Sequence, residues 1–169
     1  FHFLVGAGVE EGVPKIESGS GATMNSYTLR PRARGSVTLR SADPAVLPVV
    51  DPNFLGDPYD LKTSTEGVRL SREIFAQSAL GRYVRKEHFP GDRVKTQAEL
   101  EQYARQYGRT SYHPVGTCRM GGDARSVVDP SLRVRGVEGL RICDSSVMPR
   151  LVSSNTNAPS IMIAEKASD

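Results

Sequence analysis

One histidine in this chain stands in a setting suited to proton chemistry. Residues 111 to 121 read Ser111-Tyr112-His113-Pro114-Val115-Gly116-Thr117-Cys118-Arg119-Met120-Gly121. Pro114 stiffens the backbone beside His113, and Gly116 permits tight approach of another group. An imidazole titrates near neutral pH, so His113 can act as an acid/base, and the same ring can equally serve as a structural hydrogen bonder. His2, in an expected strand, and His88, before Phe89-Pro90, have nothing nearby arranged for proton transfer. A second polar stretch lies near the end, Ser154-Asn155-Thr156-Asn157-Ala158-Pro159. Asn-x-Asn before a helix is ordinary capping chemistry. Capping alone does not explain several polar groups at the mouth of an apolar helix. That mouth gathers unpaired N–H donors and the positive end of the helix dipole, and it favours a negative charge.

Other chemistries fit less well. Asp144-Ser145 with His113 suggests a hydrolase triad, but Ser145 lacks the flanking glycines of a nucleophile elbow. Cys118 suits burial as a small apolar residue better than nucleophilic attack. Cys118 and Cys143 make neither a disulfide framework nor a zinc site, and no clustered metal ligands are present. Reduced thiols and a cytoplasmic setting are expected. Gly6-Ala7-Gly8 tempts a dinucleotide reading, but the third glycine position holds Glu11, and Pro14 forbids the receiving helix.

The elements that must position these residues can be outlined. Residues 1 to 9 are β-prone and run into a loop that includes Gly19-Ser20-Gly21. Residues 23 to 30 and 36 to 40 alternate as strands do, and with Pro31 and Gly35 between them they suggest a hairpin. Residues 42 to 58 carry four prolines and read as a stiffened connection. Asp57-Pro58 is a helix start, with the helix running to about Leu80 and Gly81 as its stop. Thr96-Gln97-Ala98-Glu99 is a capping box for a helix ending at Gly108. Short strands are expected at 127–128, 132–134 and 140–143. A last helix is expected from about Ala158 to Lys166, capped by Asn157. It is apolar on nearly every side and so is expected to be buried.

A chain of 169 residues suits one domain or part of a larger one. It has no initiating Met and opens as if in mid-strand, so the expectation is a piece of a longer protein. A net charge of +3 with acids and bases interspersed argues for a mixed solvated surface and against a nucleic-acid partner. No apolar run approaches the eighteen or so residues of a membrane span.

The words of this sequence resemble a known family. They are His113-Pro114-x-Gly116-Thr117-Cys118-x-Met120-Gly121, then Val127-Val128-Asp129-Pro130, then Gly139-Leu140-Arg141-x-x-Asp144-x-Ser146-Val147-Met148-Pro149, then Asn155-x-Asn157-Ala158-Pro159. Together they resemble the C-terminal, substrate-binding part of the glucose–methanol–choline (GMC) flavin oxidoreductases. The likeness extends back through Leu29-Arg30-Pro31 and Asp51-Pro52-Asn53-Phe54-Leu55.

The resemblance implies an FAD-dependent oxidoreductase that turns an alcohol into an aldehyde or ketone by hydride transfer to flavin. His113 matches the family's catalytic histidine. Asn155 matches its second active-site position, and an Asn there points to the choline- and alcohol-dehydrogenase-like branch. Asp144, Ser145, Asn155, Thr156, Asn157 and Ala158 are implied flavin neighbours. A reduced flavin carries negative charge at its N1/C2=O edge, which agrees with the helix mouth described above. The implied fold is α+β, an antiparallel sheet with helices packed on one face. Residues 1–126 would be the substrate-binding domain, and 127–169 a segment returning to an N-terminal FAD domain. Without that domain the chain is expected neither to hold FAD nor to turn over. Its oligomeric state is left open. The competing expectation is a non-catalytic α+β binding or interaction domain with a structural His113 loop.

Overall fold

A computed structural model describes residues 1–5, 8–10, 13–15 and 20–168. In chain order the elements are β1 (His2–Val5), β2 (Gly8–Glu10), β3 (Val13–Lys15), β4 (Ala22–Asn25), β5 (Ser36–Thr38), β6 (Val49–Asp51), α1 (Pro58–Ala76), α2 (Ser78–Gly81), α3 (Gln97–Tyr107), a 3-10 turn at Ser145–Val147 and α4 (Asn157–Ser168). The class is α+β, as expected, and every described ladder is antiparallel. The strands form three two-stranded sheets, β1 with β4, β2 with β3 and β5 with β6.

The hairpin expected between residues 23–30 and 36–40 is not formed. β4 pairs with β1, with His2 opposite Asn25, while β5 pairs with β6, with Val37 opposite Val50. Two reasons are local. The 31–35 connection lacks the two-residue turn that closes a tight hairpin. Gly35 instead lies against the end of β6, where a Cβ would fall 2.1 Å from the Asp51 carbonyl oxygen. The proline-rich stretch 42–58 therefore contains a strand. The loop expected after residue 9 is also corrected, because Gly8–Glu10 and Val13–Lys15 pair with each other. Gly6, Ala7 and Gly19 lie outside the described residues.

The chain's own contacts divide it into two units, residues 1–28 with 54–111, and 29–53 with 112–169. In the first, Asp57 caps α1 by accepting from the Tyr59 N–H at 2.8 Å, with Pro58 at the first helical position. α1 stops at Ala76, earlier than Leu80. The Gln77 side chain donates to the Glu73 carbonyl at 2.9 Å, and its extended backbone separates α1 from α2. α3 begins with the expected capping box, Thr96 bonded to the Glu99 N–H and Glu99 to the Thr96 N–H. α1 and α3 pack through Leu61, Leu100 and Ala104, with Leu100 fully buried. Buried Thr65 donates to the Lys62 carbonyl and accepts from Gln97 of α3 at 3.3 Å. Arg72 of α1 grips Glu87 with two parallel bonds of 2.9 and 3.0 Å, tying the 82–96 connection to the helix.

The second unit is built of short extended segments with a small core of Val128, Val147 and Met148. The strands expected at 127–128, 132–134 and 140–143 reduce to isolated bridges: Met120 with Val128, Val128 with Val134, and Arg133 with Arg141. Turns cut each segment too short for a ladder. Asp129 accepts from the Ser131 and Arg133 N–H groups, and Leu132, Gly136 and Gly139 all take positive φ. α4 starts at Asn157, so Thr156 rather than Asn157 accepts the first helical bond, from the Ser160 N–H at 3.0 Å. The helix was expected to be buried and is not: Ile161 is 54% exposed and Met162 56%. Its apolar composition was legible, but among the described residues nothing covers that face.

Candidate active site

The His113 loop is fastened to the 3-10 turn by two backbone bonds. The Cys118 N–H donates to the Ser146 carbonyl at 3.0 Å and the Met120 N–H to the Val147 carbonyl at 2.8 Å. Arg119 closes the far end of the loop on Asp123 with two bonds of 2.8 and 2.7 Å. That guanidinium holds the Asp123 carboxyl well below the usual carboxylate range, with help from the Arg125 N–H. Gly116 takes φ +93, and its position faces the Met148 carbonyl oxygen, which a Cβ would meet at 3.4 Å. Tyr112, next to the histidine, sits at φ +63. A left-handed non-glycine residue costs on the order of 1 kcal/mol, so the loop is held in this shape by its surroundings.

The loop delivers His113 to the start of α4. Its Nδ1 lies 2.9 Å from the Thr156 hydroxyl, and the Thr156 N–H approaches the same nitrogen at 3.5 Å. His113 is half-buried, and Thr156 is 7% exposed. Asn155, the preceding residue, is exposed. The segment before it is held from the other side, because Arg30 Nε donates to the Ser153 hydroxyl at 2.7 Å. Residues 43 positions apart thus meet directly, at Thr156.

Asp144 is exposed, and its carboxylate caps the 3-10 turn through the Ser146 N–H at 2.8 Å and the Ser146 hydroxyl. Ser145 is half-buried, and its carbonyl accepts from the Met148 N–H. Asn157 and Ala158 are exposed at the first turn of α4, which holds no acidic residue. Cys118 and Cys143 are free thiols, both half-buried. Among the described residues no cluster of His, Cys, Asp and Glu could hold a metal, and no helix is long and apolar enough to cross a membrane. Thr156 as the partner of the histidine ring was missed in the sequence. A hydroxyl beside an Asn-x-Asn word carries no sign of what it will touch.

The family model described as GMC oxidoreductase matches residues 31–164. Over its whole length the chain is 46% identical to an alcohol dehydrogenase (acceptor) of Pseudomonas putida and covers 30% of that protein. It is 44% identical over 171 aligned positions to an oxygen-dependent choline dehydrogenase of Brucella ovis, covering all of this chain and 31% of the relative. Among solved structures, pyridoxine 4-oxidase from Mesorbium loti superposes with a TM-score of 0.82 at 28% identity, over 98% of this chain and 33% of that one. A formate oxidase of Aspergillus oryzae RIB40, solved in a study of its FAD modification, gives 0.77 at 29% identity, over 83% of this chain and 25% of that one. The chain spans about 30% of the length of the curated relatives it matches. With its motif words in order, and a family match over most of its length, the chain belongs to the GMC oxidoreductase family.

Proposed function

We propose that this chain is the C-terminal portion of an FAD-dependent alcohol oxidoreductase and carries the protein half of its active site. The observation that supports this most is the meeting of His113 with the residue beside Asn155 at the mouth of α4. A non-catalytic binding module offers no reason for the two stretches to converge.

The residues at that mouth suit a flavin. The first N–H groups of α4 lack intrahelical partners, and no acidic residue in the first turn offsets the positive end of the dipole. Asp144, Ser145, Asn155, Thr156, Asn157 and Ala158 are the residues we assign to the ring's surroundings. When bound, FAD supplies the acceptor for a hydride from the alcohol carbon. This chain's residues do the rest. His113 accepts the hydroxyl proton as general base. With the ring hydrogen on Nδ1 and donated to the Thr156 hydroxyl, Nε2 is the nitrogen that accepts. Asn155 hydrogen-bonds the substrate oxygen and holds the reacting carbon in place. The product is an aldehyde or ketone.

Residues 1–126 would supply the substrate side, and 127–169 would return to an N-terminal FAD domain of the same protein. The exposed apolar α4 agrees with such a return. The test is a visible spectrum of the purified full-length protein, followed by anaerobic addition of aliphatic, aromatic and quaternary-ammonium alcohols. Flavin bands that one of these bleaches are expected. A colourless protein, or a yellow one that no alcohol bleaches, contradicts the proposal. Titration of the isolated 169-residue chain with FAD should show no stoichiometric binding, and tight one-to-one binding would contradict the division of the site.

A further inference from the structure

We propose that Thr156 is a positioning residue for His113, holding the imidazole by Nδ1 so that Nε2 is presented to the substrate. The inference rests on His113 being the acid/base, and it gives the Thr156 side chain a task separate from lining the flavin.

Every polar group of Thr156 is spent inside the protein. Its hydroxyl lies 2.9 Å from His113 Nδ1, and its N–H faces the same atom at 3.5 Å. Its carbonyl accepts from the Ser160 N–H at 3.0 Å and the Ser160 hydroxyl at 2.6 Å. The side chain is buried, with its hydroxyl turned to His113. A β-branched residue packed at a helix start has little rotamer freedom, so its oxygen is a fixed point. The support is rigid where the histidine itself rides on a loop. For Nε2 to accept the substrate proton the ring hydrogen must sit on Nδ1, and the Thr156 hydroxyl, unlike its N–H, can accept from it there. A carboxylate partner would accept only, and would stabilise the charged ring. The hydroxyl therefore orients the ring in the tautomer whose Nε2 is the acceptor.

The experiment uses the full-length flavoprotein. Thr156→Val, Thr156→Ala and Thr156→Ser are compared with wild type and with His113→Ala, by kcat, KM, flavin content and the rate of anaerobic flavin reduction. Loss of one orienting hydrogen bond should lower kcat per bound flavin about tenfold in the Val variant, with KM unchanged. Ser should recover most of the rate. In the His113→Ala background, Thr156→Val should add nothing further. A Val variant as fast as wild type overturns the proposal. So does a Ser variant as slow as Val, because the methyl group and not the hydroxyl would then matter. Should Val fail to fold, Ala supplies the same comparison. If His113→Ala itself keeps the wild-type rate, the active-site assignment fails. If only the Thr156 variants do, this inference fails alone.

Discussion

Gly116 tests whether the loop geometry matters to His113. Alanine there places a Cβ on backbone at φ +93, and 3.4 Å from the Met148 carbonyl oxygen. The backbone term costs about 1–2 kcal/mol, and the tight contact adds a few tenths, so about 2 kcal/mol of destabilisation is expected. The strain cannot spread easily toward the C-terminal side, because Cys118 and Met120 are bonded to Ser146 and Val147. It is relieved toward His113. Misplacing an acid/base by about 1 Å can cost on the order of a hundredfold in rate. Gly122→Ala is the control: nothing lies within 4 Å of its Cβ position and its φ is not left-handed. Alanine there should be neutral or stabilising by about 0.4–1 kcal/mol. Urea unfolding of the full-length protein, followed by circular dichroism, gives the stability, and anaerobic flavin reduction gives the rate. Gly116→Ala matching Gly122→Ala in both would refute the reasoning.

Two further outcomes concern the scaffold. Leu100→Ala removes a fully buried side chain between α1 and α3, so unfolding should lose about 3–5 kcal/mol, read as a lowered urea midpoint. Exposed Leu70→Ala should lose far less in the same assay. Glu99 is held below its ordinary value near 4.5 by the Thr96 N–H first, then the Lys95 N–H and the Thr96 side chain. Its folded pKa is depressed, so its contribution is full above that ordinary value and disappears as pH falls through the folded pKa. Stability should therefore decline on acidification below about 4.5, and Glu99→Gln should flatten that part of the pH curve. An unchanged acid limb in Glu99→Gln would count against the capping box.

What was legible in the sequence is what a few adjacent residues decide. Asp57-Pro58 and the Thr96–Glu99 box set helix starts through contacts within one turn, and both stand in the structure. The α1 stop slipped because Gln77, not Gly81, satisfies the carbonyl at the helix end. Strand partners were not legible, since β4 finds β1 past the intervening β2 and β3 and β5 is steered to β6 by the close approach at Gly35. Burial of α4 failed for another reason: apolar composition belongs to one surface, and burial requires two. At the site, residue type and the flanking proline singled out His113, and the family words pointed to the 155–158 turn. The bond itself fell one residue on, at Thr156. No spacing rule pairs side chains 43 positions apart.

The central claim is that His113 serves as the base at a flavin-dependent alcohol site. Its most direct test is the rate at which an alcohol bleaches the flavin of the full-length protein, anaerobically, in wild type and His113→Ala. Loss of a general base predicts bleaching slower by about a hundredfold or more, with the flavin spectrum unchanged before substrate. Equal rates in the two proteins would contradict the account.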